Sequence, residues 1–147
     1  MNIVIQRVSH AQVRCGKATH SEIDKGLVLL VGFGHEDDES LVSRMVKKII
    51  TLRIFDDEKG KMNVSVLDVA GEILLIPNFT LVADISKGNR PSFDSSLAPK
   101  KAGALFEQFI TCLKASNVKV QSGIFGAHMA IDICNDGPVT FVLDSKG

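Results

Sequence analysis

Only two stretches of this chain repeat apolar residues at helical spacing, and that limit constrains the fold more than any other feature. In the first, Leu41, Val42, Met45, Val46, Ile49 and Ile50 share one stripe, with Lys47 and Lys48 off it. Asp37, Asp38 and Glu39 place negative charge where that helix would begin, which suits the positive end of its dipole. In the second, Pro99 fits a first helical turn, and Ala102, Leu105, Phe106, Phe109, Ile110 and Leu113 form the apolar face. Around them lie about eight runs of strand character: 2–8 and 11–14, joined at Ser9-His10, then 26–33, 52–55, 72–82, 118–121, 129–134 and 139–143. The run 26–33 is almost unbroken apolar, as in a strand buried on both faces, and Pro77 bends or ends the pairing of 72–82. A doubly wound sheet would need many more helices. The expected class is mixed α/β, a largely antiparallel mixed sheet with both helices on one face. The opposite face then needs a cover, and a second copy of the chain in a homodimer would supply it.

The 147 residues suit a single domain spanning 1–147, with neither linker nor internal repeat. Lysine plus arginine balance aspartate plus glutamate at 17 each, which argues against indiscriminate nucleic-acid binding; RNA would be held only by a local patch. No apolar run approaches a membrane span and Met1-Asn2-Ile3 opens no secretory signal, so no membrane partner is expected. Cys15, Cys112 and Cys134 are odd in number and far apart. They point to free thiols in a reducing, cytoplasmic setting, against disulfides or zinc.

Familiar catalytic constellations are missing. His10, His20, His35 and His128 are scattered, and no serine sits in a Gly-x-Ser-x-Gly elbow. Gly32-Phe33-Gly34 lacks the rest of a phosphate loop, and Asp56, Asp57 and Glu58 read as a solvated turn; no metal and no cofactor are expected. Three segments remain. Pro77-Asn78-Phe79-Thr80-Leu81 and Asn135 to Thr140 combine strand-end backbone with small polar residues, and Gly123 to Met129 puts Phe125 and Met129 beside glycines. Glycine allows close backbone approach, and a Phe with a Met makes a soft slot that suits a flat base. Between its two flanking runs, Gly137-Pro138 reads as a turn, because Pro138 cannot donate to a ladder. The bond before Pro138 is one of the few that can be cis at modest cost, which would turn two carbonyls to one side.

Over essentially its whole length the chain resembles the D-aminoacyl-tRNA deacylases. The likeness is carried by Val4-Ile5-Gln6-Arg7-Val8, Leu52 to Asp56, Gly60-Lys61-Met62-Asn63, Lys87 to Phe93, Gly123 to Met129, Asn135 to Thr140 and Leu143-Asp144-Ser145. The resemblance implies a homodimer in which Gly137-Pro138 is cis and enters the partner subunit's active site, with Arg7, Asn135 and Thr140 supporting the motif. One motif departs: the family's Ser-Gln-Phe-Thr-Leu stands here as Pro77-Asn78-Phe79-Thr80-Leu81. A sister group of animal tRNA deacylases also carries Pro first, but pairs it with a trans Gly-Pro and lacks the Phe. Phe79 and Arg7 follow the D-specific pattern.

An aminoacyl-tRNA is an activated ester, so its hydrolysis needs orientation of a water and an oxyanion site more than a strong nucleophile. Backbone N–H groups at Phe79 and Thr80 are the expected donors, with the 2′-hydroxyl of the terminal ribose aiding the water as the resemblance suggests. Phe125, Gly126, Ala127 and Met129 are the expected adenosine site at the tRNA 3′ end. Carbonyls at Gly137 and Pro138 would accept the substrate's amine and exclude an L side chain by contact, so D-residues and glycine, including glycine mischarged on tRNA(Ala), would pass. A competing mechanism makes Thr80 Oγ1 the nucleophile, although no base is apparent nearby in sequence. Two other functions compete: a sister-type deacylase accepting small L-residues, and a nucleic-acid-binding module without catalysis. A missing basic stripe with interleaved aromatics argues against the last.

Overall fold

The computed structural model describes residues 1–145. Its elements in chain order are β1 (Asn2–Cys15), β2 (Ala18–Ile23), β3 (Gly26–Gly32), α1 (Glu39–Ile50), β4 (Arg53–Asp56), β5 (Met62–Ser65), β6 (Glu72–Pro77), α2 (Pro99–Lys114), β7 (Lys119–Ser122) and β8 (Ala130–Asp144). A short 3-10 turn, Phe79–Val82, follows β6. The fold is the expected mixed α/β class with two helices and a mixed sheet.

β1 is the spine of that sheet. Along one edge it pairs antiparallel with β8 over nearly its whole length. Along the other it pairs antiparallel first with β3 and then, past Ser9-His10, with β2. β3 runs parallel to β6, and β6 parallel to β7. Those parallel neighbours need long crossovers, and the crossovers contain α1 and α2. Both helices therefore pack on one face, where Val42, Val46, Ile49, Phe106 and Phe109 meet Ile3, Ile5, Leu27, Leu29, Ile73 and Leu75. β4 and β5 form a separate hairpin closed by Asp57, whose Oδ1 accepts from Lys59 N at 2.9 Å and Lys61 N at 3.0 Å. That fits the solvated turn expected there. The backbone bonds hold the Asp57 carboxyl below the usual range.

Three expectations are corrected. The second sheet face is not left for another copy to cover. The far half of β1, β2 and the first half of β8 fold over it, so Val8, Ala11, Val13, Ile23, Val28, Leu74 and Ile76 make a second core within one chain. Ser21 Oγ on β2 donates to Ser122 O on β7 at 2.9 Å, which ties the curled sheet into a nearly closed barrel. Residues 2–8 and 11–14 are one strand, because pairing with β8 skips Ser9 as a bulge instead of turning there.

The third correction concerns Gly137-Pro138, which is no turn. Runs 129–134 and 139–143 belong to one strand, β8, that keeps its direction. Gln6 pairs with Thr140 and Val8 with Asn135, so residues 136–139 stand opposite Arg7 alone. The extra residues leave the ladder as an outward bulge, and a proline without an N–H is tolerated there. Strands β2 and β5 escaped sequence reading: in β2 only Ser21 and Ile23 are buried, too short a pattern to register. Among the described residues no helix is long and apolar enough to cross a membrane.

Candidate active site

Two separate constellations emerge at opposite ends of the sheet. The first is a cleft of about 720 Å³ where β3 and β6 end, walled by the 3-10 turn, the loop before α2, the first turn of α2 and the segment 125–129. It gathers Phe79, Phe125, Gly126, Ala127 and Met129 of the expected site, with His128 at its wall. Asn78 anchors the floor, since its N–H donates to Val31 O at 2.8 Å, while Asn2 Nδ2 holds Leu81 O at 2.8 Å. β6 stops at Pro77 and the chain turns at once into the 3-10 segment. The N–H groups of Phe79 and Thr80, the first two of that turn, have no intrahelical acceptor. Thr80 Oγ1 donates to Asn78 Oδ1 at 2.6 Å, so its proton faces a neutral amide and not a base.

The aromatic walls are themselves supported. Phe79, 61% exposed, leans on Phe93 with ring centroids 5.0 Å apart. Phe125 rests on Phe106 of α2 at 6.0 Å and lies over Gly103 of the same helix. The loop that carries Phe125 is pinned by Met129, whose Sδ accepts from Ile124 N at 3.3 Å. A Cβ at Gly123 would lie 2.8 Å from the same sulfur, so the Met129 side chain would have to move aside. Sequence reading passed over Phe93 and Ser96 as cleft residues. Phe93 closes the Lys87-to-Phe93 segment that carries part of the family likeness without pointing to a cleft, and nothing in sequence marks Ser96, whose buried Oγ has no partner among the described residues.

The second constellation is the β8 bulge. The Gly137-Pro138 bond is cis. Asn135 closes the bulge on itself: its Oδ1 accepts from Val139 N at 2.8 Å, and its Nδ2 donates to Thr140 Oγ1 at 3.1 Å and Val139 O at 3.3 Å. Gln6 Nε2 adds a bond to Thr140 Oγ1 at 3.2 Å. Arg7 lies beneath, almost fully buried, its Nε donating to Asp136 O at 3.0 Å and its Nη1 to Ile54 O at 2.9 Å. Asp56 Oδ1 at 3.3 Å and Asp136 Oδ2 at 3.5 Å balance its charge. Arg7, Asn135 and Thr140 thus converge on Gly137-Pro138, which is itself exposed. Asp136 and the Ile54 carbonyl were not foreseen, since a backbone oxygen leaves no trace in sequence.

The two constellations do not meet within one chain. Arg7 is level with Leu27 on β3, whereas the cleft floor is level with Val31 and Gly32. Four or five residues of strand separate them, about 13–16 Å at the ordinary rise. Among the described residues no group of three or more metal-ligating side chains lies together.

Comparison with known proteins adds three findings. The sequence model of the family described as D-Tyr-tRNA(Tyr) deacylase matches residues 4–144. D-aminoacyl-tRNA deacylases of Thermosipho africanus and Staphylococcus haemolyticus are each 49% identical over 146 residues, covering 99% of this chain and 98% and 97% of theirs. A solved structure described as a c-Myc DNA unwinding element binding protein superposes with TM-score 0.92 at 37% identity, covering 98% of each chain. A probable eukaryotic D-amino acid tRNA deacylase superposes with TM-score 0.85 at 15% identity over 97% of each chain, a likeness of fold.

Proposed function

The chain belongs to the D-Tyr-tRNA(Tyr) deacylase family, and from that premise we propose how its two constellations divide the work. It is an enzyme that hydrolyses the ester of D-aminoacyl-tRNA, releasing the amino acid and the tRNA. The terminal adenosine enters the cleft and lies against Phe125 and Met129, bordered by Gly126 and Ala127. The ester carbonyl then reaches the Phe79 and Thr80 N–H groups, which stabilise the oxyanion as water adds. No side chain need be the nucleophile. A Thr80 hydroxyl already donating to Asn78 weighs against the acyl-enzyme route.

Chirality is read by Gly137-Pro138 of a second subunit. The observation that carries this reading is the distance between bulge and cleft in one chain, which leaves the exposed, rigidly braced motif free to serve a neighbour's cleft. Its carbonyls take the substrate amine; a D side chain then points to solvent, whereas an L side chain meets the Gly-Pro backbone. Glycine has nothing to clash, so glycyl-tRNA, including glycine mischarged on tRNA(Ala), is also a substrate. The compartment that fits this role is the cytoplasm.

One assay tests the reading: hydrolysis of D-aminoacyl-, L-aminoacyl- and glycyl-tRNA followed side by side. Cleavage of the D- and glycyl-esters with bulky L-esters left intact is expected. Release of L-alanine at rates near those for D-residues would instead mark a sister-type activity, to which Pro77 is the pointer. DNA binding, named for one solved relative, is a second reading; zero net charge weighs against it.

A further inference from the structure

The mouth of the cleft is charged although the chain as a whole is neutral. Residues 85–101 hold Lys87, Arg90, Lys100 and Lys101 against one carboxylate, Asp94. All four cations are exposed, and none takes part in an ion pair among the described residues. They stand on two elements that frame the opening. Lys87 and Arg90 sit in an excursion of the chain whose base is closed by Asp84 and Ser92, bonded N–H to carbonyl at 2.8 and 2.9 Å. Phe93, the next residue, lines the cleft. Lys100 and Lys101 lie in the first turn of α2, between Pro99 and Ala102, which also line it. Ser96 Oγ, buried in the wall without a partner among the described residues, is a polar group that a ribose or phosphate oxygen arriving there would satisfy.

A polyanion leaving the cleft is drawn along these cations. We propose that Lys87, Arg90, Lys100 and Lys101 form a phosphate-binding rim for the single-stranded 3′ end and adjoining acceptor stem of the tRNA. The RNA then leaves the cleft between the 85–91 excursion and the start of α2. This inference rests on the assignment of the cleft to the terminal adenosine. It adds the direction in which the rest of the substrate runs and the residues that hold it.

The test compares two substrates that differ in phosphate: D-aminoacyl-tRNA and the corresponding D-aminoacyl ester of adenosine. Wild type is measured beside Lys100→Gln/Lys101→Gln and Lys87→Gln/Arg90→Gln from low to moderate potassium chloride. Each pair should raise KM for the tRNA by about tenfold at low salt and flatten the log–log salt dependence by roughly one to two, since each lost phosphate contact removes about 0.7–0.9 from the slope. Hydrolysis of the adenosine ester should stay within about twofold of wild type. Unchanged KM and slope in both variants, with wild type active, would overturn the rim alone. Equal losses on both substrates would also overturn it, by placing these residues in support of the cleft and not on RNA. Wild type inactive toward both esters would instead overturn the deacylase assignment, and the rim with it. Competition by duplex DNA as strong as by uncharged tRNA would reassign the rim to general nucleic-acid contact.

Discussion

Arg7 shows how much a single side chain has to do here. It is buried under the bulge, spans Asp136 O and Ile54 O, and is neutralised by two half-exposed carboxylates. A lysine at this position keeps the charge but not the planar fork, so Arg7→Lys should lower D-aminoacyl-tRNA turnover at least tenfold while the protein stays folded. Arg7→Met should also cost stability, about 1–3 kcal/mol for the Ile54 carbonyl left unpaired, seen as a lower urea midpoint. Wild-type turnover by the lysine variant would show that the bulge needs no such brace. Thr80 is the contrasting case. Its hydroxyl is tied to Asn78, and catalysis is assigned to the neighbouring N–H groups. Thr80→Ala should therefore keep most activity, losing roughly tenfold at most through altered packing. A trapped acyl-Thr80 species in mass spectrometry would reverse that assignment.

Elements differ in how plainly the chain announces them. α1 begins at Asp38, whose Oδ1 accepts from Leu41 N at 2.8 Å, and this bond holds the Asp38 carboxyl below its ordinary range. A group with a lowered folded-state pKa stabilises above its unfolded pKa, and that contribution fades as pH falls through the lowered value. Asp38→Ala should thus lower the melting temperature by a few degrees at neutral pH, with the gap to wild type closing in acid. A gap independent of pH would mean that the carboxylate charge contributes nothing. The helices were legible because their stripes repeat over three turns or more and their starts carry Asp38 and Pro99. β2 was not, because an edge of six residues with two buried ones makes no pattern. The β8 bulge was misread as a turn since Gly-Pro signals a break in the ladder without telling whether the chain reverses. Phe79, Phe125 and Met129 stood out as aromatic or soft residues beside special backbone. That they share one cleft depended on β3 and β6 ending together, which no local signal records.

At the scale of the whole molecule, the covered second face removes the packing argument for a dimer and leaves the argument from the proposed division of the site between subunits. Two inactive variants can test it. Gly137→Ala places a Cβ 2.6 Å from Val139 Cγ2 and 2.8 Å from Val139 N at a φ of +144°, so the bulge must shift. Ala127→Trp fills the cleft instead. Each alone should be inactive. Mixed after exchange of subunits, half the dimers are hybrids with one sound site, and activity should return to about a quarter of wild type. Absence of recovery, with hybrids verified by mass, would place both parts of the site in one chain. The gap between bulge and cleft has a further consequence in kinetic order. In the proposed two-subunit site, a lone subunit has a place for the ester but no carbonyls to hold its amine. On dilution below the dissociation constant, hydrolysis should then fall with the square of chain concentration, and activity becomes a property that the protein holds only in company.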